Sequence, residues 1–171
     1  MWARIRLMSA KGTPATDLLR RAGVPHALRE YVVGPGADGR HAYGLEAAAA
    51  LGVDPAVVFK TLIVSADGRL AVGIIPATGE LDLKAIAASL GARRAVMAEP
   101  AAAERSSGYV LGGISPLGQR RRLPTVLDAS ARGRERILVS GGRRGLQVEI
   151  APVDLAGLLD AIVAPIVRPG R

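Results

Sequence analysis

The chain has 171 residues, a formal net charge of +8 and no cysteine. Its length suits a single domain, and the missing cysteines exclude disulfide bonds and catalysis by a protein thiolate. No apolar run is long enough to span a membrane, and residues 1–12 lack the apolar stretch of a secretory signal. We therefore expect a cytoplasmic protein with a flexible N-terminal extension at 1–12, a folded domain at 13–165 and a C-terminal tail at 166–171.

The basic residues are concentrated toward both ends of the chain. This distribution indicates an anionic partner, with nucleic acid as the leading candidate, although a solvated arginine-rich surface would give the same composition. The chain has three tyrosines, one tryptophan and one phenylalanine. These are too few aromatic side chains for an extended base-stacking platform.

The first half of the chain is predicted to contain two helices and a β-hairpin. Thr13 is a good helix N-cap, Pro14 suits a first helical turn, and Gly23 would end that helix. Asp67-Gly68 is typical of a hairpin turn. The predicted elements are a helix at 14–22, an extended segment at 24–33, a helix at 45–51, a strand at 57–64 and its return strand at 70–75.

Short strands separated by glycine and proline dominate the second half. The predicted elements are a helix at 82–90, a strand at 92–97, a short helix at 100–105, a strand at 109–111, an extended segment at 124–127, strands at 136–140 and 146–150, and a closing helix at 152–163. The strands do not alternate regularly with helices, and the hairpin favours antiparallel pairing. We therefore expect an α+β fold, a single compact domain with a mixed, curved sheet flanked by helices.

Lys60 is the single charge in the segment 57–64, whose β-branched and apolar residues predict a strand buried on both faces. Burying an ammonium group is costly unless it is paired or contacts an anion. We interpret Lys60 as a lysine that projects into a cleft and meets a substrate oxygen or phosphate. The alternative is a lysine on an edge strand that reaches solvent.

Two glycine-rich turns offer free backbone amides. Paired glycines permit a sharp turn and close approach of a ligand, and Pro116 stiffens the first turn. The amides of Gly112, Gly113 and Ile114 can then face an oxygen, as in a backbone nest, although a simple glycine turn between strands is the alternative. Arginines follow the first turn or lie inside the second: Arg120, Arg121, Arg122, Arg143 and Arg144.

The common catalytic motifs are missing from the sequence. His26 and His41, its two histidines, have no cysteine or carboxylate at metal-ligand spacing, so we predict no metal site. There is no nucleophile elbow, phosphate-binding loop or dinucleotide fingerprint. A lysine and two amide-rich turns can position a polyanionic substrate and stabilise an oxyanion. They supply no strong nucleophile, so the chemistry would need water or a group on the substrate.

Four blocks of residues in order carry a family resemblance. They are Thr13-Pro14-Ala15, Phe59-Lys60-Thr61-Leu62, Ser107-Gly108-Tyr109 with residues 112–119, and residues 139–146. Together they resemble the YbaK/ProX/EbsC family of free-standing aminoacyl-tRNA deacylases, related to the editing domain of bacterial prolyl-tRNA synthetases, and the YbaK branch is most similar. The resemblance extends from Thr13 to about Ile162. It implies a central barrel-like sheet, no cofactor, and hydrolysis of the ester that joins a mischarged amino acid to the tRNA 3′ end.

The resemblance also implies roles for individual residues. Lys60 would contact the terminal nucleotide and hold the ester, and Gly112, Gly113 and Ile114 would face the scissile carbonyl. The usual substrate of the YbaK branch is Cys-tRNA(Pro), and the thiol of the cysteine attacks its own ester. The positions implied to form or adjoin the substrate pocket are Tyr31, Tyr43, Thr61, Ser115, Pro116, Ser140 and Gly141.

Two departures from the family pattern keep alternatives open. Tyr43 stands where relatives commonly have Phe, and arginine replaces lysine in both glycine-rich turns, which preserves charge but changes geometry. The substrate could therefore carry alanine or another small amino acid instead of cysteine. A different class of function is a non-catalytic tRNA-binding module that assists a synthetase. In either case we expect tRNA as a partner, with prolyl-tRNA synthetase as a further candidate partner.

Overall fold

The computed structural model describes residues 12–34 and 43–170. Within them are five α-helices and eight strands. The helices are α1 (Pro14–Ala22), α2 (Tyr43–Leu51), α3 (Leu83–Ser89), α4 (Pro100–Ser107) and α5 (Pro152–Leu159). The strands are β1 (His26–Glu30), β2 (Phe59–Ala66), β3 (Arg69–Pro76), β4 (Ala95–Met97), β5 (Thr125–Asp128), β6 (Ile137–Ser140), β7 (Leu146–Ile150) and β8 (Ile162–Ala164). None of the described helices has the length and apolar character needed to cross a membrane.

The strands form two sheets. One has five strands in the order β4-β2-β3-β5-β8, and the other has three in the order β1-β7-β6. Pairing is antiparallel in the small sheet and in β4-β2-β3, but β5 is parallel to both β3 and β8. The expected mixed α+β domain is confirmed. The expected single barrel-like sheet is wrong, because the described strands make two sheets that do not close into a barrel.

One parallel bridge, between Val58 and Leu138, joins the two sheets. Both residues are buried in a small apolar cluster with Ala48 of α2 and Ala77. Helix α2 therefore packs over the place where β2 and β6 approach each other. Gly44, in the first turn of α2, permits this packing, because a Cβ there would lie 2.6 Å from the Cβ of Ala77.

The β2–β3 hairpin follows the sequence prediction. Asp67 and Gly68 both have positive φ, 48° and 81°, as the favoured two-residue hairpin turns require. The resulting register pairs Lys60 with Ile75 at the end of the hairpin that is remote from the turn. Since side chains alternate along a strand, Phe59 and Ile63 enter the larger core and Val64 enters the core beneath α3.

Two predicted elements are wrong. The strand predicted at 109–111 does not form, because α4 continues to Ser107 and the buried Tyr109 anchors an irregular loop by donating its hydroxyl to the Leu117 carbonyl oxygen at 2.6 Å. The helix predicted at 152–163 ends at Leu159, where Asp160 adopts a left-handed conformation with φ of 49°. The chain then forms β8, which pairs with β5.

Residues 166–168, which the sequence analysis expects in the C-terminal tail, contact the rest of the described chain. Ile166 is fully buried. Its amide donates to Asp128 Oδ1 at 2.8 Å, and its carbonyl oxygen accepts from the Asp82 amide at 2.7 Å. Val167 bridges to Leu81, and the Arg168 amide donates to the Glu80 carbonyl oxygen.

Replacing Ile166 with alanine tests this packing. We expect Ile166→Ala to lower the free energy of unfolding by about 2–5 kcal/mol, because it removes a buried side chain from the core. Val153→Ala is the control, since Val153 is 77% exposed and should change stability by no more than about 0.5 kcal/mol. Urea denaturation of the two variants measures both values, and equal stabilities would show that Ile166 is not packed as described.

Candidate active site

Lys60 and Ser140 occupy matching positions beyond the bridge that joins the sheets. Val58 pairs with Leu138 in parallel, and Lys60 and Ser140 are each two residues further along. Because residues two apart lie on the same face of a strand, both side chains are on the face that carries Val58 and Leu138. The fold therefore places Lys60 and Ser140 at matching positions past the same junction, although they are far apart in the sequence.

The Lys60 ammonium is partly removed from water. Burial lowers its pKa, and the charge of Glu80 offsets this shift in part by raising the pKa. Glu80 is 78% exposed and forms its ion pair with Arg168, and no carboxylate in the described part of the chain lies within salt-bridge distance of Lys60. A half-buried cation without a protein counter-ion is suited to an anionic or carbonyl oxygen from a ligand.

Ser140 links the two glycine-rich turns. Its hydroxyl donates to the Gly113 carbonyl oxygen at 3.2 Å and accepts from the Gly142 amide at 3.2 Å. Both hydroxyl functions are thus used inside the protein. Ser140 therefore orients the first turn relative to the second, and its bonded hydroxyl is not a free nucleophile.

The sequence predicts that the three backbone amides of Gly112, Gly113 and Ile114 face a ligand oxygen, and the structure is consistent with this for only two of them. The Gly113 amide donates to the Val110 carbonyl oxygen at 3.0 Å, so it closes a turn and does not face a ligand. The amides of Gly112 and Ile114 have no acceptor among the described residues. Two of the three expected amides are therefore available to a substrate oxygen.

Both glycines of this loop lie where a side chain would collide with a neighbouring segment. Gly112 has a φ of 89°, and a Cβ there would lie 2.9 Å from Cζ of Tyr43. A Cβ on Gly113 would lie 2.8 Å from the backbone Cα of Arg143. The first turn is thus pressed against the Tyr43 ring on one side and the second turn on the other.

Ser115 and Pro116 shape the loop from inside the protein. Both are buried, and the Ser115 hydroxyl accepts from the Leu117 amide at 3.2 Å while its carbonyl oxygen accepts from Gln119 at 2.9 Å. Tyr109 closes the same loop, and burial raises its pKa to about 12. The expectation that Ser115 and Pro116 meet the substrate is not supported by these positions.

The N-terminus of α1 anchors the second turn. Thr13 Oγ1 donates to the carbonyl oxygen of Gly141 at 2.5 Å, and the Gly141 amide donates to the Leu146 carbonyl oxygen at 2.9 Å. A Cβ on Gly118 would lie 2.5 Å from the Pro14 carbonyl carbon. Gly141 is consequently a buried structural glycine, and all the blocks that carry the family resemblance except Phe59–Leu62 meet here.

The two tyrosines expected in the pocket both lie beside the second turn. The Tyr31 amide donates to the Gly145 carbonyl oxygen at 2.9 Å. Arg144 stacks over the Tyr43 ring, 4.7 Å from guanidinium carbon to ring centroid. The Tyr43 ring therefore lies against both Arg144 and Gly112, at the edge of the amide-bearing loop.

Thr61 is separated from Lys60. The two residues are consecutive in β2, so their side chains lie on opposite faces. Thr61 pairs with the fully buried Ile74, and its hydroxyl is buried without a hydrogen-bond partner in the described part of the chain. Thr61 is therefore not placed with the candidate site residues.

The arginines that follow the first glycine-rich turn differ from those of the second turn in their carboxylate partners. Arg143 forms an ion pair with Glu30 at 3.0 Å, and Arg144 forms one with Glu46 at 3.0 Å. By contrast, the exposed residues Arg120–Arg122 have no carboxylate partner among the described residues. Sequence reasoning missed both glutamates. Glu46 is recognisable as an acidic residue in the first turn of a helix, but its pairing with Arg144 arises only in the tertiary structure.

No group of metal-binding side chains was found in residues 12–34 and 43–170. His26 contacts the Val24 carbonyl oxygen through Nδ1 at 2.7 Å, which is a local backbone contact in β1. His41 lies outside the described residues. Within the described residues, the candidate site offers a cation, backbone amides and an aromatic ring.

The structure is a mixed α+β domain with a half-buried lysine and a glycine-rich loop, two of whose amides have no acceptor among the described residues. A family model described as the aminoacyl-tRNA editing domain matches residues 38–158. The chain therefore belongs to the aminoacyl-tRNA editing domain family, as the sequence blocks indicated.

Individual relatives agree with this assignment. EbsC of Enterococcus faecalis (strain ATCC 700802 / V583), provisionally named as a Cys-tRNA(Pro)/Cys-tRNA(Cys) deacylase, is 34% identical over 155 residues, which is 90% of this chain and 92% of EbsC. The hypothetical protein APE2540 shares the fold with a TM-score of 0.80 and 24% identity, over 91% of this chain and 100% of that structure. A structure provisionally described as a trans-editing enzyme for prolyl-tRNA synthetase matches with a TM-score of 0.78 and 23% identity, over 91% and 96%.

A glycine substitution tests the packing of Tyr43 on the loop. Gly112→Ala and Gly133→Ala both place a side chain at a positive φ, but a Cβ on Gly133 meets nothing within 4 Å. We expect Gly112→Ala to cost about 1–3 kcal/mol more than Gly133→Ala, because the Tyr43 ring must move. Denaturant unfolding of both variants measures the difference, and equal losses would contradict the contact.

Proposed function

We propose that this protein hydrolyses mischarged aminoacyl-tRNA, with Cys-tRNA(Pro) as the preferred substrate. The observation that carries the proposal is the shared position of Lys60 and Ser140 beyond the Val58–Leu138 bridge. Ser140 donates to the Gly113 carbonyl oxygen, which ties the amide-bearing loop to β6, and Lys60 has no salt-bridge partner among the described residues. Membership of the editing family and the name of EbsC support the same activity.

In this proposal Lys60 binds the phosphate or ester oxygens of the terminal nucleotide. The amides of Gly112 and Ile114 donate hydrogen bonds to the scissile carbonyl oxygen as negative charge develops on it. Preorganised donors of this kind stabilise a transition state because they do not reorganise during the reaction. Tyr31 and Tyr43 border the space for the amino acid.

The nucleophile is proposed to come from the substrate. The chain contains no cysteine, and the hydroxyl of Ser140 is occupied by the Gly113 carbonyl oxygen. The cysteine sulfur attacks its own ester carbonyl carbon, the bond from that carbon to the ribose oxygen breaks, and the ribose oxygen leaves as a hydroxyl after taking the proton of the thiol. Water then opens the resulting cyclic thioester to release cysteine.

A panel of three substrates tests this function and the role of Lys60. In single-turnover assays we expect rapid loss of cysteine from Cys-tRNA(Pro) and no loss of serine from Ser-tRNA(Pro), because serine lacks the thiol. Lys60→Ala should slow the loss of cysteine at least ~100-fold, the order of effect of removing one electrostatic contact in a transition state. Lys84→Ala is the matched control, since Lys84 is exposed on α3, and should act like the unaltered protein.

Each other outcome selects a different function. Preferred turnover of Ala-tRNA(Pro) would indicate an alanine-editing enzyme in which the thiol plays no part. Binding of tRNA without turnover of any substrate would support the non-catalytic module. Unchanged turnover by Lys60→Ala would show that the catalytic site lies elsewhere.

Arg120–Arg122 are proposed to contact the tRNA backbone. They are exposed, follow the amide-bearing loop directly, and have no carboxylate partner among the described residues. Arg143 and Arg144 fit this role less well because Glu30 and Glu46 already neutralise them. Contacts to phosphate do not identify the tRNA, so selectivity would come from a partner such as prolyl-tRNA synthetase.

The salt dependence of tRNA binding tests these contacts. Replacing Arg120, Arg121 and Arg122 together with alanine should weaken binding and reduce the slope of log K against log salt by about 2–3, since each lost phosphate contact contributes about 0.7–0.9. Fluorescence anisotropy with uncharged tRNA measures the slope. Arg69→Ala, at the turn end of the β2–β3 hairpin, should leave it unchanged, and an unchanged slope in the triple variant would refute the contact.

A further inference from the structure

We propose that the Arg144–Glu46 ion pair is a positioning device that keeps the Tyr43 ring against Gly112, and so determines the shape of the amino-acid pocket. This inference rests on the proposed function, but its structural part can be tested without activity. It gives Arg144 a role different from the phosphate contact that a basic turn would suggest.

The contacts form a continuous chain across four segments. Glu46 Oε2 accepts from Arg144 at 3.0 Å, and Glu46 Oε1 accepts from the Gly34 amide at 3.1 Å. Arg144 in turn stacks over Tyr43, 4.7 Å from its ring centroid. The same ring also lies against Gly112, where a Cβ would lie 2.9 Å from Cζ of the ring.

Burial makes this pair more than a surface contact. The side chains of Arg144 and Glu46 are 33% and 16% exposed, whereas those of the neighbouring pair Arg143 and Glu30 are 43% and 51% exposed. Ion pairs that are partly withdrawn from water are screened less by salt. Both carboxylate oxygens of Glu46 are also occupied, so the carboxylate has a defined orientation.

The position of Tyr43 connects the pair to substrate choice. Tyr43 contacts Gly112, whose amide has no acceptor among the described residues and is proposed to face the ester carbonyl. A ring free to rotate away from Gly112 would enlarge the pocket and loosen the loop. Loss of the pair should therefore reduce the rate of the chemical step and the discrimination between amino acids, with little effect on tRNA affinity.

Charge reversal and charge exchange provide the test. The variants are Glu46→Arg, Arg144→Glu and the double exchange of both residues, compared by nuclear magnetic resonance and by single-turnover deacylation of Cys-tRNA(Pro). The control exchange uses Arg29 and Glu149, a pair at 3.0 Å whose side chains are 38% and 25% exposed. That pair joins β1 to β7 and makes none of the contacts described for the candidate site.

The expected results separate positioning from phosphate binding. Each single reversal should abolish the ring-current shift of the Gly112 resonances and slow the chemical step at least ~5-fold, within the usual coupling range for residues in contact. The double exchange should recover part of both losses, because it restores the ion pair but not the stacking of Arg144 on Tyr43. The salt slope of tRNA binding should stay unchanged when Arg144 is replaced by alanine, and the Arg29–Glu149 exchange should leave Gly112 and turnover unaffected.

Two results would overturn the proposal. If the chemical shifts of Gly112 do not change in the single-reversal variants, the pair does not position Tyr43. A salt slope reduced by about 0.7–0.9 in Arg144→Ala, with no recovery in the double exchange, would identify Arg144 as a phosphate contact. Because the resonances report on Tyr43 without any substrate, an inactive protein with the expected shifts would refute the proposed function and leave the positioning contact intact.

Discussion

The meeting of the two sheets at Val58 and Leu138 is the constraint on which the candidate site depends. This parallel bridge is a single contact, so β2 and β6 approach each other once and then separate. Beyond it, Lys60 and Ser140 lie at the separating ends, where neither strand can complete a ladder with the other. The apolar cluster beneath α2 stabilises the bridge. Lys60 and Ser140 are thus half-buried at the edge of a well-packed junction.

Glycine makes the rest of the site possible by permitting close approach of backbone segments. Gly112, Gly113, Gly118 and Gly142 each stand where a Cβ would come within 3 Å of another segment. Through these approaches the first turn, the second turn and the start of α1 form one compact unit. A protein that supplies backbone amides as its chemical groups needs such packing, because amides act only where the main chain itself is correctly placed.

Charge is distributed between internal and external roles. The arginines of the second turn form ion pairs with Glu30 and Glu46, which link that turn to β1 and α2. Those after the first turn remain exposed to solvent. Lys60 stands apart from both groups, because it is partly buried and burial lowers its pKa. The cations in and around the candidate site are therefore of three kinds: paired with a glutamate, exposed to solvent, or partly buried.

Local patterns in the sequence predict most of the helices and strands, because hydrophobic periodicity, helix caps and the Asp67-Gly68 turn act over short distances. It also indicated the family, through blocks whose glycines and lysine are needed at definite positions. Sequence reasoning misplaced the ends of α4 and α5, because a buried tyrosine and a parallel partner strand decided them. Only the tertiary structure showed that Lys60 and Ser140 lie at matching positions past the Val58–Leu138 bridge, that Ser115 is buried, and that Arg144 pairs with Glu46. These outcomes depend on contacts between distant segments, and local patterns carry no information about which segments will meet.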